Sequence, residues 1–324
     1  MDWLQAVILG LVQGLTEFLP VSSSGHLAIG RALLGVEASG DLVFEVTVHA
    51  ATVLATIVVF RKKIWELICG LFKFKYNDET DYIAKICVSM IPVFVVGMFF
   101  KDAIESAFGS MLVVGLALIV TAMLLTFSDW KAKRSFASAQ DDKEGPKDDK
   151  VEAKDDKEGP KDDKVEAKDD KEGPKDDKVE AKDADAVILS ERSEAKNLPR
   201  NGISFWQAFV VGIGQAFAAI PGLSRSGTTI STGLICGVKR SEMAQFSFLM
   251  VLVPILGEAF LDVVGGDMAA SSIGFLPLAL GFISAFVSGL FACKVMIALV
   301  RKAQLKWFGL YCALVGLAVL VFMV

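Results

Sequence analysis

Three polar residues lie close together near the start of an apolar chain: Glu17, Ser23 and His26, within "TEFLPVSSSGH". A carboxylate, a hydroxyl and an imidazole at that spacing are the makings of proton transfer or of nucleophilic attack on phosphorus. A second stretch, "IPGLSRSGTTIS", places Arg225 between Ser224 and Ser226. Its planar guanidinium suits phosphate oxygens. Both stretches open helix-like runs, so backbone N–H groups and a positive dipole end collect at each. Two such ends meeting from opposite sides make an anion site.

Each residue has a candidate role. Gln13 and Glu17 are four apart and share one helical face, and a carboxylate inside a membrane segment is functional by default. Glu17 would hold a divalent cation or act as a base. His26, whose free-solution pKa is about 6.5, suits proton transfer or direct attack. Ser23 is either an activated nucleophile or a donor to phosphate oxygens. His26 is the favoured nucleophile, because a neutral imidazole needs no activation and a serine does; a metal-activated water held near Glu17 is the remaining alternative. Gln13, Ser22, Ser24, Gly25, Ser224, Ser226, Gly227 and Thr228 are expected to surround the bound anion. The plainer reading makes the serines helix caps and lets Arg225 snorkel. It suffices for either loop alone, but two matching loops favour function. Glu45 and His49 read as a mutually satisfied i,i+4 pair, and Glu258, Asp262 and Lys294 as snorkelling side chains.

What must position these residues is a membrane fold. The 324 residues are 53% hydrophobic yet 22% charged, which fits one class only if the charge is segregated. Residues 141–182 are three copies of "DDKEGPKDDKVEAK". Outside them lie six apolar stretches long enough to cross a bilayer, at about 42–60, 84–100, 108–127, 244–262, 274–299 and 307–323,. A soluble globular domain leaves these unexplained, so the expected class is an all-α polytopic membrane protein. Basic clusters at Arg61–Lys63, Lys131–Arg134, Lys239–Arg240 and Arg301–Lys306 fall on one side if each stretch crosses once. That side is cytoplasmic, and both chain ends face outward.

Two apolar regions remain, 3–34 and 204–237, each broken near its middle by Pro, Gly and Ser. The side count requires each to enter and leave on the same face, so both read as re-entrant helical hairpins, the first from outside. Irregular backbone at that depth is tolerated where it is buried in protein or lines a wet cavity. A shift of 202 residues aligns Gln13 with Gln215, Ser22 with Ser224, Ser24 with Ser226, and Gly25 with Gly227. Each copy is then one hairpin plus three spans, and an odd number of spans inverts the second copy. The domains are a first repeat over 1–130, a charged insert over 131–203 and a second repeat over 204–324. The insert's composition is that of a disordered cytoplasmic segment. The five cysteines form no CxxC pair and read as small hydrophobes,. The N-terminus has no basic region or cleavage site of a removable signal peptide.

"QGLTEFLPVSSSGHL" and "IPGLSRSGTTIS", in this order, resemble the undecaprenyl-diphosphate phosphatase (bacitracin-resistance) family. The likeness extends to "FEVTVHAATVLA" and "FSFLMVLVP" and leaves out the charged insert. It implies an integral enzyme of the bacterial plasma membrane, and the first hairpin's entry from outside would open its site to the outer face. Such an enzyme removes one phosphate from a C55 polyprenyl diphosphate and returns the carrier lipid to cell-wall synthesis. It also implies catalytic roles for Glu17, Ser23, His26 and Arg225, and a Mg²⁺ or Ca²⁺ requirement with Glu17 as a metal ligand. Some members carry glutamate where this chain has Gln13, which weakens a two-carboxylate metal site. The expected partners are the polyprenyl diphosphate lipid and the bilayer; a homo-oligomer is allowed and no nucleic acid is expected. The alternative, from another class, is a transporter or flippase of a polyprenyl phosphate lipid, since inverted repeats with broken helices suit alternating access.

Overall fold

In the computed structural model, residues 1–36, 42–108, 110–141, 202–265, 273–302 and 304–324 are described. Contacts divide the chain into Met1–Phe136 with Arg200–Val324, and a second unit, Ala137–Pro199. The charged repeats beyond Asp141 lie outside the described residues, as does the expectation of disorder attached to them.

The regular elements among the described residues are all helical. The helices are α1 (Trp3–Phe18), α2 (Ser23–Leu34), α3 (Leu42–Leu71), α4 (Asp78–Phe99), α5 (Lys101–Phe108) and α6 (Met111–Asp141), then α7 (Phe205–Phe217), α8 (Arg225–Ile235), α9 (Arg240–Gly265), α10 (Phe275–Lys302) and α11 (Lys306–Phe322). Four segments of the described residues are long and apolar enough to cross a membrane: Val43–Leu71, Asp78–Phe99, Met111–Ala132 and Phe275–Leu299. Outward-facing Leu310, Leu314, Leu317 and Val321 on α11 are exposed, a stripe at helical spacing that lipid would cover. The chain is therefore a multi-pass membrane protein.

Several helices overrun the apolar stretches. α3 continues past Arg61 to Leu71, and α6 past Lys131 to Asp141. The charged insert expected from residue 131 therefore begins as helix. Basic residues mark where a segment leaves the hydrocarbon and do not stop a helix, since Lys and Arg are good helix formers. Helix α5 carries no apolar run of membrane length, which is why hydropathy did not reveal it.

Both breaks form as their residues dictate. α1 ends at Leu19, whose extended backbone precedes Pro20, and α2 starts on Ser22, whose hydroxyl accepts the Gly25 N–H,. At the second break Ser224 caps α8 through the Gly227 N–H. Several hydrogen bonds recur in the two hairpins at the 202-residue offset. Asp2 and Gln5 form a capping box, as do Ser204 and Gln207,. Gln5 Nε2 donates to the Leu34 carbonyl at 3.1 Å, and Gln207 Nε2 to the Cys236 carbonyl at 2.9 Å. Gly35 and Gly237 both adopt positive φ past the second helix, a conformation glycine takes without steric cost.

Each hairpin packs on a helix of the other half. A Cβ on Gly10 of α1 would strike the Gly281 carbonyl of α10, and one on Gly14 would meet Ser288. In the other half, a Cβ on Gly212 of α7 would strike the Ser89 carbonyl of α4. Small residues let backbones approach closely where lipid gives no hydrophobic drive between helices. α6 and α11 meet in the same way, through Gly115 and Gly316. This interlocking leaves the two breaks facing each other.

Candidate active site

The breaks touch through matching residues. A Cβ on Gly25 would lie 3.2 Å from Gly222, and one on Gly227 would lie 3.4 Å from Pro20. The Gly222 N–H donates to Ser24 Oγ at 3.3 Å, and Ser226 Oγ donates to the Leu19 carbonyl at 3.2 Å. Pro20 and Gly222 stand at the same offset of 202 as the two serines. Each break thus supplies a backbone group to a serine of the other. Outer helices brace them: Thr121 of α6 accepts the Ser224 N–H at 3.1 Å, and Cys312 of α11 directs its Sγ at the Pro20 carbonyl, 3.7 Å away.

Glu17 sits on the last turn of α1, with its side chain 9% exposed. Ser23, the first residue of α2, donates its hydroxyl to Glu17 Oε2 at 2.5 Å. Gln13, fully buried one turn earlier, donates Nε2 to the same oxygen at 3.0 Å. His49 Nε2 of α3 lies 3.9 Å from it. Arg225 and Ser226 share with Glu17 the lining of a cavity of about 20 Å³, together with Thr52, Thr56 and Phe248. That is room for about one water. A carboxylate oriented by an amide and bonded to a hydroxyl is the arrangement that activates a nucleophile.

Most of the other expected residues serve the backbone. Ser22 and Ser224 cap helices, and Ser24 and Ser226 cross-link the breaks. Gly25 and Gly227 allow the close approach. Thr228 is buried and its hydroxyl has no partner, as is true of both polar atoms of Gln215, the repeat mate of Gln13. His26 has both ring nitrogens engaged. Nδ1 donates to the Ser22 carbonyl at 2.7 Å, and Nε2 meets Tyr311 Oη at 2.8 Å.

Two features escaped the sequence reading. The Glu45 carboxylate pairs with Arg31 at 2.7 Å, and His49 Nδ1 bonds the Glu45 carbonyl instead of its side chain. The expected mutual Glu45–His49 pair is therefore replaced, and His49 turns Nε2 to the site, toward Glu17. The stripe Glu45, His49, Thr52, Thr56 at helical spacing carried that signal. Tyr311, alone in an apolar helix, carried almost none.

No group of three His, Cys, Asp or Glu side chains gathers among the described residues. Gln13 Oε1 is buried without a partner close to the Glu17 carboxylate. One carboxylate and an amide oxygen fit a hard cation that draws its remaining ligands from substrate phosphate and water.

A family model described as Bacitracin resistance protein BacA matches residues 6–155 and 184–318. The unmatched stretch between them falls in the charged repeats. A protein of Parabacteroides distasonis named undecaprenyl-diphosphatase is 44% identical over 98% of this chain and 97% of its own length. One of the same name from Bacteroides fragilis is 43% identical over 99% and 98%. One from Methanococcus vannielii is 32% identical over 98% and 99%.

Proposed function

Because this chain belongs to the bacitracin resistance protein BacA family, we propose that it hydrolyses undecaprenyl diphosphate to undecaprenyl phosphate and inorganic phosphate. The observation that carries the mechanism is the 2.5 Å contact between Ser23 Oγ and Glu17 Oε2. A serine hydroxyl is a weak nucleophile until a base takes its proton. Glu17, held by Gln13, is that base.

In this reading the terminal phosphate enters where Glu17 and Arg225 line one cavity. Ser23 Oγ attacks the terminal phosphorus while its proton passes to Glu17. The bond from that phosphorus to the bridging oxygen breaks, and the lipid monophosphate leaves with the proton. Water then cleaves the seryl phosphate: Glu17 takes a proton from the water and returns it to Ser23. Arg225 meets the charge on the equatorial oxygens, the electrostatic stabilisation on which phosphoryl transfer depends. A Mg²⁺ or Ca²⁺ ion, when bound, would be held by Glu17, Gln13 Oε1 and substrate oxygens, and would neutralise phosphate charge. His26 holds the break in shape, since both its nitrogens are engaged.

The matching hydrogen bonds at the 202-residue offset support an internal repeat whose second copy is inverted. The paired breaks at Pro20 and Gly222 support re-entrant hairpins, which bring both serine loops to the membrane interior. The basic clusters support a plasma-membrane protein whose site opens to the outer face. Hydrolysis there returns the carrier lipid to cell-wall synthesis.

The test is release of inorganic phosphate from a polyprenyl diphosphate by the purified protein in detergent micelles. Multiple turnovers are expected. A carrier needs two compartments and releases no phosphate, so binding without release would favour a flippase instead.

A further inference from the structure

Tyr311 belongs to the last helix, 285 residues from His26 in the chain. Its surroundings are otherwise those of a lipid-facing residue: it is 44% exposed, beside exposed Leu310 and Leu314. A tyrosine there for packing alone would direct its hydroxyl toward water at the membrane boundary. Instead the hydroxyl is bonded to His26 Nε2 at 2.8 Å, and the two rings stack at 5.6 Å with planes 9° apart. We propose that Tyr311 is a positioning residue for the reaction, acting through His26 to hold the first break so that Ser23 stays on Glu17.

The chain of contacts fixes each proton. The Ser22 carbonyl can only accept, so His26 Nδ1 carries the hydrogen of their 2.7 Å bond,. In the neutral imidazole Nε2 is then the acceptor, and the Tyr311 hydroxyl is the donor. The Ser22 carbonyl also accepts the His26 backbone N–H at 3.2 Å. That carbonyl belongs to a residue under strain: Ser22 has φ +72° without being glycine. Such a conformation persists only where its surroundings over-determine it. The residue it precedes is Ser23, so any relaxation at Ser22 swings the reacting hydroxyl away from Glu17.

Helix α11 grips the break at a second point as well. Cys312, the next residue, is fully buried and directs its Sγ at the Pro20 carbonyl. The helix is itself seated on α6, where a Cβ on Gly309 would meet Thr126 and one on Gly316 the Gly115 carbonyl. The last helix thus acts as a brace that ends in one hydroxyl. The assignment of Ser23 rests on the proposed function; the Tyr311–His26 contact does not.

The experiment exploits the fact that the chain has two histidines. Protein labelled with ¹⁵N at histidine shows two imidazoles, and His49→Gln identifies which is which. The wild type should show His26 protonated at Nδ1, with Nε2 resonating as a hydrogen-bonded acceptor. Tyr311→Phe keeps the ring and the stack but removes the donor. Its Nε2 signal should move to that of a free lone pair while His49 stays in place. On a polyprenyl diphosphate its kcat should fall about 3- to 10-fold, the size of one lost neutral hydrogen bond, with KM within about twofold. A wild-type Nε2 that carries the proton overturns the proposal, even if the variant is never recovered folded. So does an Nε2 signal that ignores the substitution, or a shifted signal with kcat unchanged. The spectra need no substrate, so they read the contact even if no phosphate is released.

Discussion

In the proposed mechanism, Ser23 and Glu17 make the reaction a question of one proton. Their contact is short, and Gln13 leaves the carboxylate little freedom to turn. Arg225 has a different proposed task, to match the planar spread of charge on a transferring phosphoryl group. Arg225→Lys keeps the charge and loses the fork. Steady-state assays should show kcat lower by about 10²-fold or more, the scale of one preorganised donor removed. Near-normal turnover would mean that charge alone suffices. These two roles were legible because Glu, Ser and Arg are conspicuous in apolar sequence. The choice between Ser23 and His26 was not. It turns on partners that no spacing reveals: Glu17 lies beyond a break, and Tyr311 lies at the far end of the chain. Sequence favoured His26 because serine lacked an activator; the proposed mechanism takes Glu17, 2.5 Å from Ser23 Oγ, as that activator.

At the scale of elements, the hairpins carry the argument. Their breaks could be read from Pro20, Pro221 and the serine–glycine runs, since these residues end or cap helices wherever they occur. Helix ends were harder to read. α3 and α6 continue beyond their basic clusters because hydropathy reports the solvent around a helix, not its hydrogen bonds. Sidedness can be tested with single cysteines, after the native ones are replaced. Leu33, 75% exposed near the end of α2, should react as Leu33→Cys with an impermeant thiol reagent added to intact cells. Lys131→Cys, on the exposed side of α6, should react only after permeabilisation. The reverse pattern would turn the hairpins over and open the site to the cytoplasm.

For the whole molecule, the internal offset of 202 residues was the strongest sequence signal of architecture. It paired Ser22 with Ser224, and each of them caps the helix that follows its break. It did not foretell that each hairpin leans on the other half, Gly10 on α10 and Gly212 on α4. Glycines in apolar helices are too common for any one of them to announce a contact. The charged repeats belong to neither copy of the 202-residue offset. Residues 156–183 lie between the two family-matched segments, and their composition buries little. Deleting them should leave the phosphate release of membrane-inserted protein within about twofold of wild type. A severe loss in kcat would assign the repeats a part in turnover.

The most direct measurement is acid quench of the enzyme during the first turnover of a polyprenyl diphosphate labelled with ³²P in its terminal phosphate. If Ser23 is the nucleophile, protein-bound label should appear that survives acid, map to the peptide holding Ser23, and vanish in Ser23→Ala. Acid-labile, base-stable label on His26 would contradict the account and restore the imidazole as nucleophile.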